Sequence, residues 1–357
     1  MSRDLWAEID LDAYRANLRH VQGTVAPSAV MTVVKNDAYG HGIGDIVAAA
    51  VGEGVRFVGV LDPAVGVDLR RSGVAGDARL LAWLFGPHED YAEAIEHGVE
   101  LGVSSIEQLD RIIATGGGLP AAVHAKIDTG LGRAGARPED WAALVAAIEE
   151  AADAGLVEVA GVWTHIAEAS DDEDTASIRA FERAIGVFSP RRRQGLVTHL
   201  AASAASFARH DSRFDLVRVG AFGYGIAPGD GVTPSSLGII PVLSLRARVV
   251  EVDDSGRAIL PVGAVDGLPG QGLSLSAATG GRRVPISVGL VETIVGASEA
   301  GSAGIGLSVG DVVTLVGRED RGEPTLQEWA DTTGTIGEEI AVRLSPRIER
   351  IVVGRRD

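Results

Sequence analysis

The chain has 357 residues, 46% apolar and 23% charged, with a formal net charge of −17. This composition can fill a hydrophobic core, and the acidic excess excludes a broad nucleic-acid surface while leaving room for one local basic pocket. Cysteine is absent, which excludes disulfides, thiolate metal sites and cysteine nucleophiles.

The N-terminus lacks the pattern of a secretion signal, and no run of about 18 apolar residues is present to span a bilayer. A cytoplasmic protein is expected, without membrane, nucleic-acid or metal partners. Residues 6–11 read as a strand. Eight short apolar runs follow, at residues 30–35, 57–62, 80–85, 100–105, 123–128, 157–165, 196–202 and 216–220. Helical patterns lie between them at 12–25, 44–54, 63–73, 90–98, 105–116, 138–155 and 175–189. Several close on glycine, at Gly54, Gly73, Gly98 and Gly155, the residue that best adopts the left-handed stop conformation. Short apolar runs alternating with longer helical patterns predict parallel β/α units, and eight of them predict a TIM (β/α)8 barrel over residues 9–235. No glycine-rich nucleotide fingerprint follows the first strand, which argues against an open doubly wound sheet.

After Pro228 the pattern changes to β-branched runs at 242–252, 284–288 and 311–316, punctuated by glycine and without a long helical period. These predict a mostly β C-terminal domain over residues 236–357, joined by residues 1–8 through the N-terminal strand.

Lysine occurs only at Lys35 and Lys126; the other 30 of 32 basic residues are arginine. Lysine can lose its proton and become a nucleophile whereas arginine effectively cannot, so both lysines are candidates for amine chemistry. Both fall at predicted strand ends, the face on which barrel enzymes place catalytic groups. The same face collects Asp128, His165, Thr198, His199, Ser203 and Arg218. The segment from Arg218 to Gly225 is rich in glycine, and Ser203 with Gly220 and Ala221 lies where barrels cradle phosphate. A Schiff-base lysine and a phosphate cradle together suggest pyridoxal 5'-phosphate.

The stretch Val33-Val34-Lys35-Asn36-Asp37-Ala38-Tyr39-Gly40-His41-Gly42 resembles the cofactor-lysine motif of alanine racemases, the fold-type III pyridoxal phosphate enzymes. Lys126-Ile127-Asp128-Thr129-Gly130-Leu131-Gly132-Arg133, Thr164-His165, His199-Leu200-Ala201-Ala202-Ser203-Ala204-Ala205 and Val217-Arg218-Val219-Gly220 carry the likeness onward, in register over about residues 6–228. The resemblance implies an amino-acid racemase, an isomerase acting on a small amino acid, built as a homodimer with shared active sites. It implies that Lys35 holds the cofactor and exchanges the substrate α-proton on one face. Tyr39, Ser203, Gly220 and Ala221 would hold the phosphate, His165 would pack on the pyridine ring, and Arg133 would contact the phenolic oxygen and the substrate carboxylate. Lys126 stands where some members carry a carbamate that orients that arginine. Arg218 would face the pyridine nitrogen. Arginine stays protonated, so that nitrogen stays neutral, which suits α-proton removal and return and argues against a decarboxylase.

The resemblance also marks departures. The family's second base is a tyrosine of the β domain. The four tyrosines here are Tyr14, Tyr39, Tyr91 and Tyr224, none of them in residues 236–357, and Leu275 aligns with the missing phenol. The family's Cys-Met-Asp segment is absent around residues 303–308, and Arg343 replaces a phosphate-binding tyrosine; an arginine can also hold a phosphate. Two alternatives to a racemase therefore stand: a one-base pyridoxal phosphate enzyme of another reaction type, and a non-catalytic homologue that keeps the cofactor.

Overall fold

The computed structural model describes residues 4–86, 88–168, 170–296 and 306–356. The chain forms two compact units. One comprises Val21–Lys35 and Ala50–Gly220; the other comprises the chain up to His20, Asn36–Ala49, and the chain from Ala221 onward.

Strand β1 (Leu5–Asp10) belongs to the second unit. The first unit contains β2 (Ala29–Val33), β3 (Phe57–Val60), β4 (Arg79–Ala82), β5 (Val99–Val103), β6 (Ala121–Lys126), β7 (Val157–Trp163), β8 (Val197–His199) and β9 (Leu216–Val219). They form a closed eight-stranded barrel in chain order. All neighbours are parallel, and β9 closes on β2 through Ala29↔Leu216 to Thr32↔Val219. The strands are almost wholly buried, as continuous apolar runs require when both faces are covered. Helix Ile106–Thr115 shows how the intervening patterns work: Ser105 Oγ accepts from Gln108 N at 3.3 Å, and Leu109 and Ile112 are buried. Helix Asp171–Ile185 opens on four acids after its Ser170 cap, the sign that its positive N-terminus favours. Met31, Leu81 and Leu216 form a buried core cluster, and Gly59 lacks a Cβ because one would press on Trp83 and on the Met31 sulfur.

The second unit is a nine-stranded sheet. It contains β10 (Leu243–Arg248), β11 (Glu251–Val252), β12 (Ala258–Leu260), β13 (Ser274–Thr279), β14 (Arg282–Val288), β15 (Thr293–Val295), β16 (Val312–Val316) and β17 (Glu349–Val353). Their order is β11-β12-β15-β14-β13-β16-β10-β1-β17. Strand β1 lies antiparallel to β10 and parallel to β17, so residues near both ends of the chain share this sheet. The unit is mostly β, as expected, and also carries two short helices that the sequence did not announce, Leu326–Thr333 and Gly337–Arg343. At eight and seven residues they are too short to show a helical period. The first carries local signals, a Thr325 cap on Glu328 N and a left-handed stop at Gly334. Its Trp329 is buried and donates from Nε1 to Ser276 O at 2.8 Å.

Candidate active site

The barrel's C-terminal face draws its candidate side chains from five strand ends. Lys35 is half-buried two residues beyond β2. Lys126 ends β6 and is buried; its ammonium lies 4.3 Å from the centroid of the Trp163 ring. Burial, reinforced by Arg218 and Arg133, lowers its pKa to about 8, so much of this amine is neutral under mildly alkaline conditions. His165 follows β7, and burial together with Arg218, Arg133, Lys126 and Lys35 lowers its pKa to about 3. It is a neutral imidazole among four cations.

Arg218 of β9 is the most constrained of these groups. It is buried, with Cζ 5.0 Å from the Trp163 centroid. One terminal nitrogen donates to His199 Nδ1 at 3.1 Å. The other donates to Thr164 O at 2.9 Å, Leu200 O at 2.9 Å and His165 Nδ1 at 3.0 Å. Burial and Arg133 lower its pKa to about 9 while Glu168 opposes them, so it remains a guanidinium at neutral pH. Ser203 is buried, and its Oγ accepts from Gly220 N at 3.1 Å, which pins the hydroxyl to the turn after β9.

The loop after β6 explains the glycines of its motif. Asp128 Oδ1 accepts from Gly130 N at 3.0 Å and Gly132 N at 3.1 Å. Ala136 N returns to Lys126 O at 2.8 Å. Gly135 has φ +127° and faces the backbone of Ile127 and Asp128 too closely for any Cβ. Arg133 is therefore carried on a closed loop, with its side chain exposed.

Directly after Lys35 the chain winds left-handed. Asn36, Asp37, Ala38 and Tyr39 have φ of 52–55°. For non-glycine residues this costs about 1–2 kcal/mol each and marks a conformation enforced by its surroundings. Within the second unit those surroundings are visible. His41 is fully buried and its Nδ1–H donates to Ala38 O and Tyr39 O. Asp37 Oδ1 accepts from Ile43 N at 2.8 Å. The ring of Tyr39 lies 4.9 Å from that of Tyr224. Gly40 has φ +77°, and a Cβ there would meet Ala341 O at 2.8 Å. Burial keeps the Tyr39 phenol protonated, with Glu338 acting in the same direction.

Tyr39, Ala221 and Arg343 belong to the second unit. Arg343 is exposed and ion-paired with Glu339. Leu275 lies on β13 opposite Ile286 of β14 and is 5% exposed. Its Cδ1 would lie 3.1 Å from a Cβ on Gly270, so it packs as a core leucine. Residues 303–305 of the 303–308 segment lie outside the described residues.

Sequence reading passed over Trp163, Glu168 and His124. Trp163 stacks on His199 at 5.5 Å and 7°, and its buried Nε1 has no partner among the described residues. Glu168 has φ +57°, and its carboxylate accepts from Ala205 N at 2.8 Å. His124 precedes Lys126 by two residues on one strand, so the strand period placed both on one face.

The arrangement fits pyridoxal phosphate. Four cations converge on an uncharged imidazole, where a phosphate, a phenolate and a carboxylate would supply the missing anions. A serine hydroxyl sits against a glycine N–H in the turn after the last strand. A closed barrel with strand-end lysines, a buried arginine and a glycine turn is the kind of site in which a barrel-type protein can hold pyridoxal phosphate.

The comparisons name the family. Residues 9–228 match the alanine racemase N-terminal domain and residues 243–352 the alanine racemase C-terminal domain. The alanine racemase of Thermobifida fusca is 37% identical over 383 positions, covering 99% of each chain. That of Streptomyces coelicolor is 33% identical, covering 97% of this chain and 95% of its own. The solved S. coelicolor A3(2) structure superposes with TM-score 0.91 at 32% identity, covering 99% of this chain and 98% of its own. That of Streptomyces lavendulae gives TM-score 0.90 at 32% identity, over 100% and 98%. The chain belongs to the alanine racemase family, and pyridoxal 5'-phosphate is the family's cofactor. No helix among the described residues is long and apolar enough to cross a membrane.

Proposed function

We propose that the protein is a cytoplasmic, homodimeric pyridoxal phosphate-dependent racemase of a small amino acid, with Lys35 as the cofactor-bearing residue and as the base on one substrate face. The observation that carries this reading is the convergence of Lys35, Lys126, Arg133 and Arg218 on a neutral His165. Bound pyridoxal phosphate supplies an electron-withdrawing ring that acidifies the α-proton of an attached amino acid.

The chain's own residues do the rest. Lys35 Nζ takes up and returns that proton on its face of the substrate. His165, without charge, provides a flat surface for the ring. Arg218 serves as a permanent donor toward the ring nitrogen and keeps it unprotonated, restricting the chemistry to proton exchange. Ser203, whose hydroxyl meets the Gly220 N–H, would hold the phosphate within the barrel unit. Arg133 receives the substrate carboxylate. Lys126 is suited to take up carbon dioxide as a carbamate because burial leaves about half of its amine neutral near pH 8. Carbon-13 NMR under labelled carbon dioxide should show a carbamate signal that is absent in Lys126→Ala.

A second reading, proton exchange on one face only, is favoured by one observation. Tyr224 is the last tyrosine of the sequence, and Leu275 is a core residue. The alignment to the T. fusca enzyme runs over 383 positions, more than the 357 residues here, so that relative carries segments this chain lacks. The deciding experiment is a chiral assay. Reconstituted protein and Lys35→Ala are incubated in deuterium oxide with L- and D-alanine and a panel of other amino acids. Racemisation lost in the variant supports the first reading. Deuterium uptake with retained configuration supports the second. No exchange by protein with bound cofactor sinks both and leaves a non-catalytic homologue.

A further inference from the structure

A continuous line of hydrogen bonds runs through the barrel unit from Arg218 to Arg79. Arg218 reaches His199 Nδ1 at 3.1 Å, His199 Nε2 lies 3.0 Å from His124 Nδ1, and His124 Nε2 lies 2.7 Å from Glu100 Oε2. Arg79 closes the line with two bonds to the same carboxylate, one of them 3.0 Å from NH2 to Oε2. His124 and His199 are fully buried and Glu100 nearly so, whereas the Arg79 side chain is 37% exposed.

The direction of every bond follows from its two ends. A guanidinium has no acceptor, so His199 Nδ1 must accept from Arg218. A neutral His199 then carries its proton on Nε2 and donates to His124 Nδ1. His124 in turn carries its proton on Nε2 and donates to Glu100. An ionised carboxylate accepts only, and it also accepts from Arg79. Burial raises the Glu100 pKa, but the bonds from His124 and Arg79 outweigh it and hold the group below the usual carboxylate range. Burial, Arg218 and His124 keep His199 neutral. All bonds point the same way, so the line polarises as one unit and presents the partial negative charge of Glu100 to the buried Arg218.

The barrel is shaped around this line. Gly161 of β7 carries no Cβ because one would overlap His124 Nδ1. The plane of Trp163 covers His199, and the Arg79 guanidinium lies over the Phe57 ring at 4.9 Å.

We propose that Glu100 and His124 are positioning residues of the active face: through His199 they lock one tautomer and so fix the aim of Arg218. The consequence at the cofactor rests on the function proposed above; the tautomer lock does not.

The test uses the protein with pyridoxal phosphate bound and nitrogen-15-labelled histidine, the ring signals being assigned by single His→Gln variants. In the parent protein, His124 and His199 should both show a protonated Nε2 and an unprotonated Nδ1. Glu100→Gln should disturb that pattern at His124 and lower kcat by roughly tenfold to a hundredfold with KM little changed, as expected when the orienting partner of a functional imidazole is lost. Glu100→Asp should recover part of the loss. Two further variants guard against failure to fold. Arg79→Gln/Glu100→Gln removes both charges together, and Gly161→Ala displaces His124 without altering any charge; both should act in the same direction. A protonated Nδ1 on either ring of the parent overturns the proposal. So does Glu100→Gln with unchanged tautomers, or with changed tautomers and unchanged turnover. If the parent protein turns nothing over, the proposed function has failed while the tautomers still report on the lock, and the role of Arg218 is read from the visible absorbance of the bound cofactor.

Discussion

The two units handle charge in opposite ways. In the barrel unit, Lys126, Arg218, His165 and His199 are brought together in buried surroundings, and each is shifted from its ordinary ionisation. In the sheet unit, pairs such as Arg283 with Glu328 and Arg257 with Asp253 lie at the surface. Exposed pairs of that kind contribute about 0–1 kcal/mol. A buried cation is costly unless its donors are all satisfied, and Arg218 is supplied with two imidazoles and two carbonyls. Among the described residues, Lys126 and Arg218 are both buried, and Arg218 adds to the burial that lowers the proton affinity of Lys126, an arrangement suited to an anionic ligand. The sheet unit's own strained element is the left-handed turn that follows Lys35.

Lys35→Ala tests the comparison most severely. It should abolish exchange of the α-proton, by about 10³-fold or more, because both cofactor attachment and proton transfer depend on that amine. A chiral assay with solvent deuterium reads the result. Arg218→Met comes next. It leaves His165, His199 and two carbonyls without their donor, and should cost on the order of 3–5 kcal/mol in urea unfolding. A loss below about 1 kcal/mol would mean that the buried network contributes little.

Acid gives a third handle. Burial lowers the His41 pKa to about 4 and the His165 pKa to about 3. Below about pH 6.5 the unfolded chain binds protons at these positions and the folded chain does not. The stability they confer is therefore complete above pH 6.5 and declines as the pH falls toward 4, by up to about 3 kcal/mol for His41. Thermal melts of the parent and of His41→Gln across that range should diverge at neutral pH and converge on acidification. Leu275→Tyr has the smallest expected effect. If Leu275 is a core leucine, the added volume should cost about 1–3 kcal/mol and confer no new racemisation. A gain in racemisation would make it the lost catalytic position.

The fold was legible because the barrel depends on repeated local patterns. Each of the eight apolar runs overlaps a barrel strand, and the glycine stops ended most helices close to the expected places. The short helices Leu326–Thr333 and Gly337–Arg343 were not legible, since neither spans enough turns to declare a period. The candidate site was legible through motif order and the scarcity of lysine. Lys35, Lys126, His165, Ser203 and Arg218 could be named because each ends a strand or begins the loop after one. Glu100 and His124 lie inside strands, where a polar residue in one sequence resembles any satisfied core group.

The sequence by itself determined the alternation of strands and helices, the strand-end amines and the lack of a phenol after Tyr224, because these depend on residue type and spacing along the chain. Only the tertiary structure decided which of those groups meet. Glu100 and Arg218 stand 118 positions apart in the sequence, and closure of the barrel brings them onto one line of hydrogen bonds through two imidazoles. Burial there removes the water that would otherwise screen them, and so turns four ordinary side chains into one oriented unit.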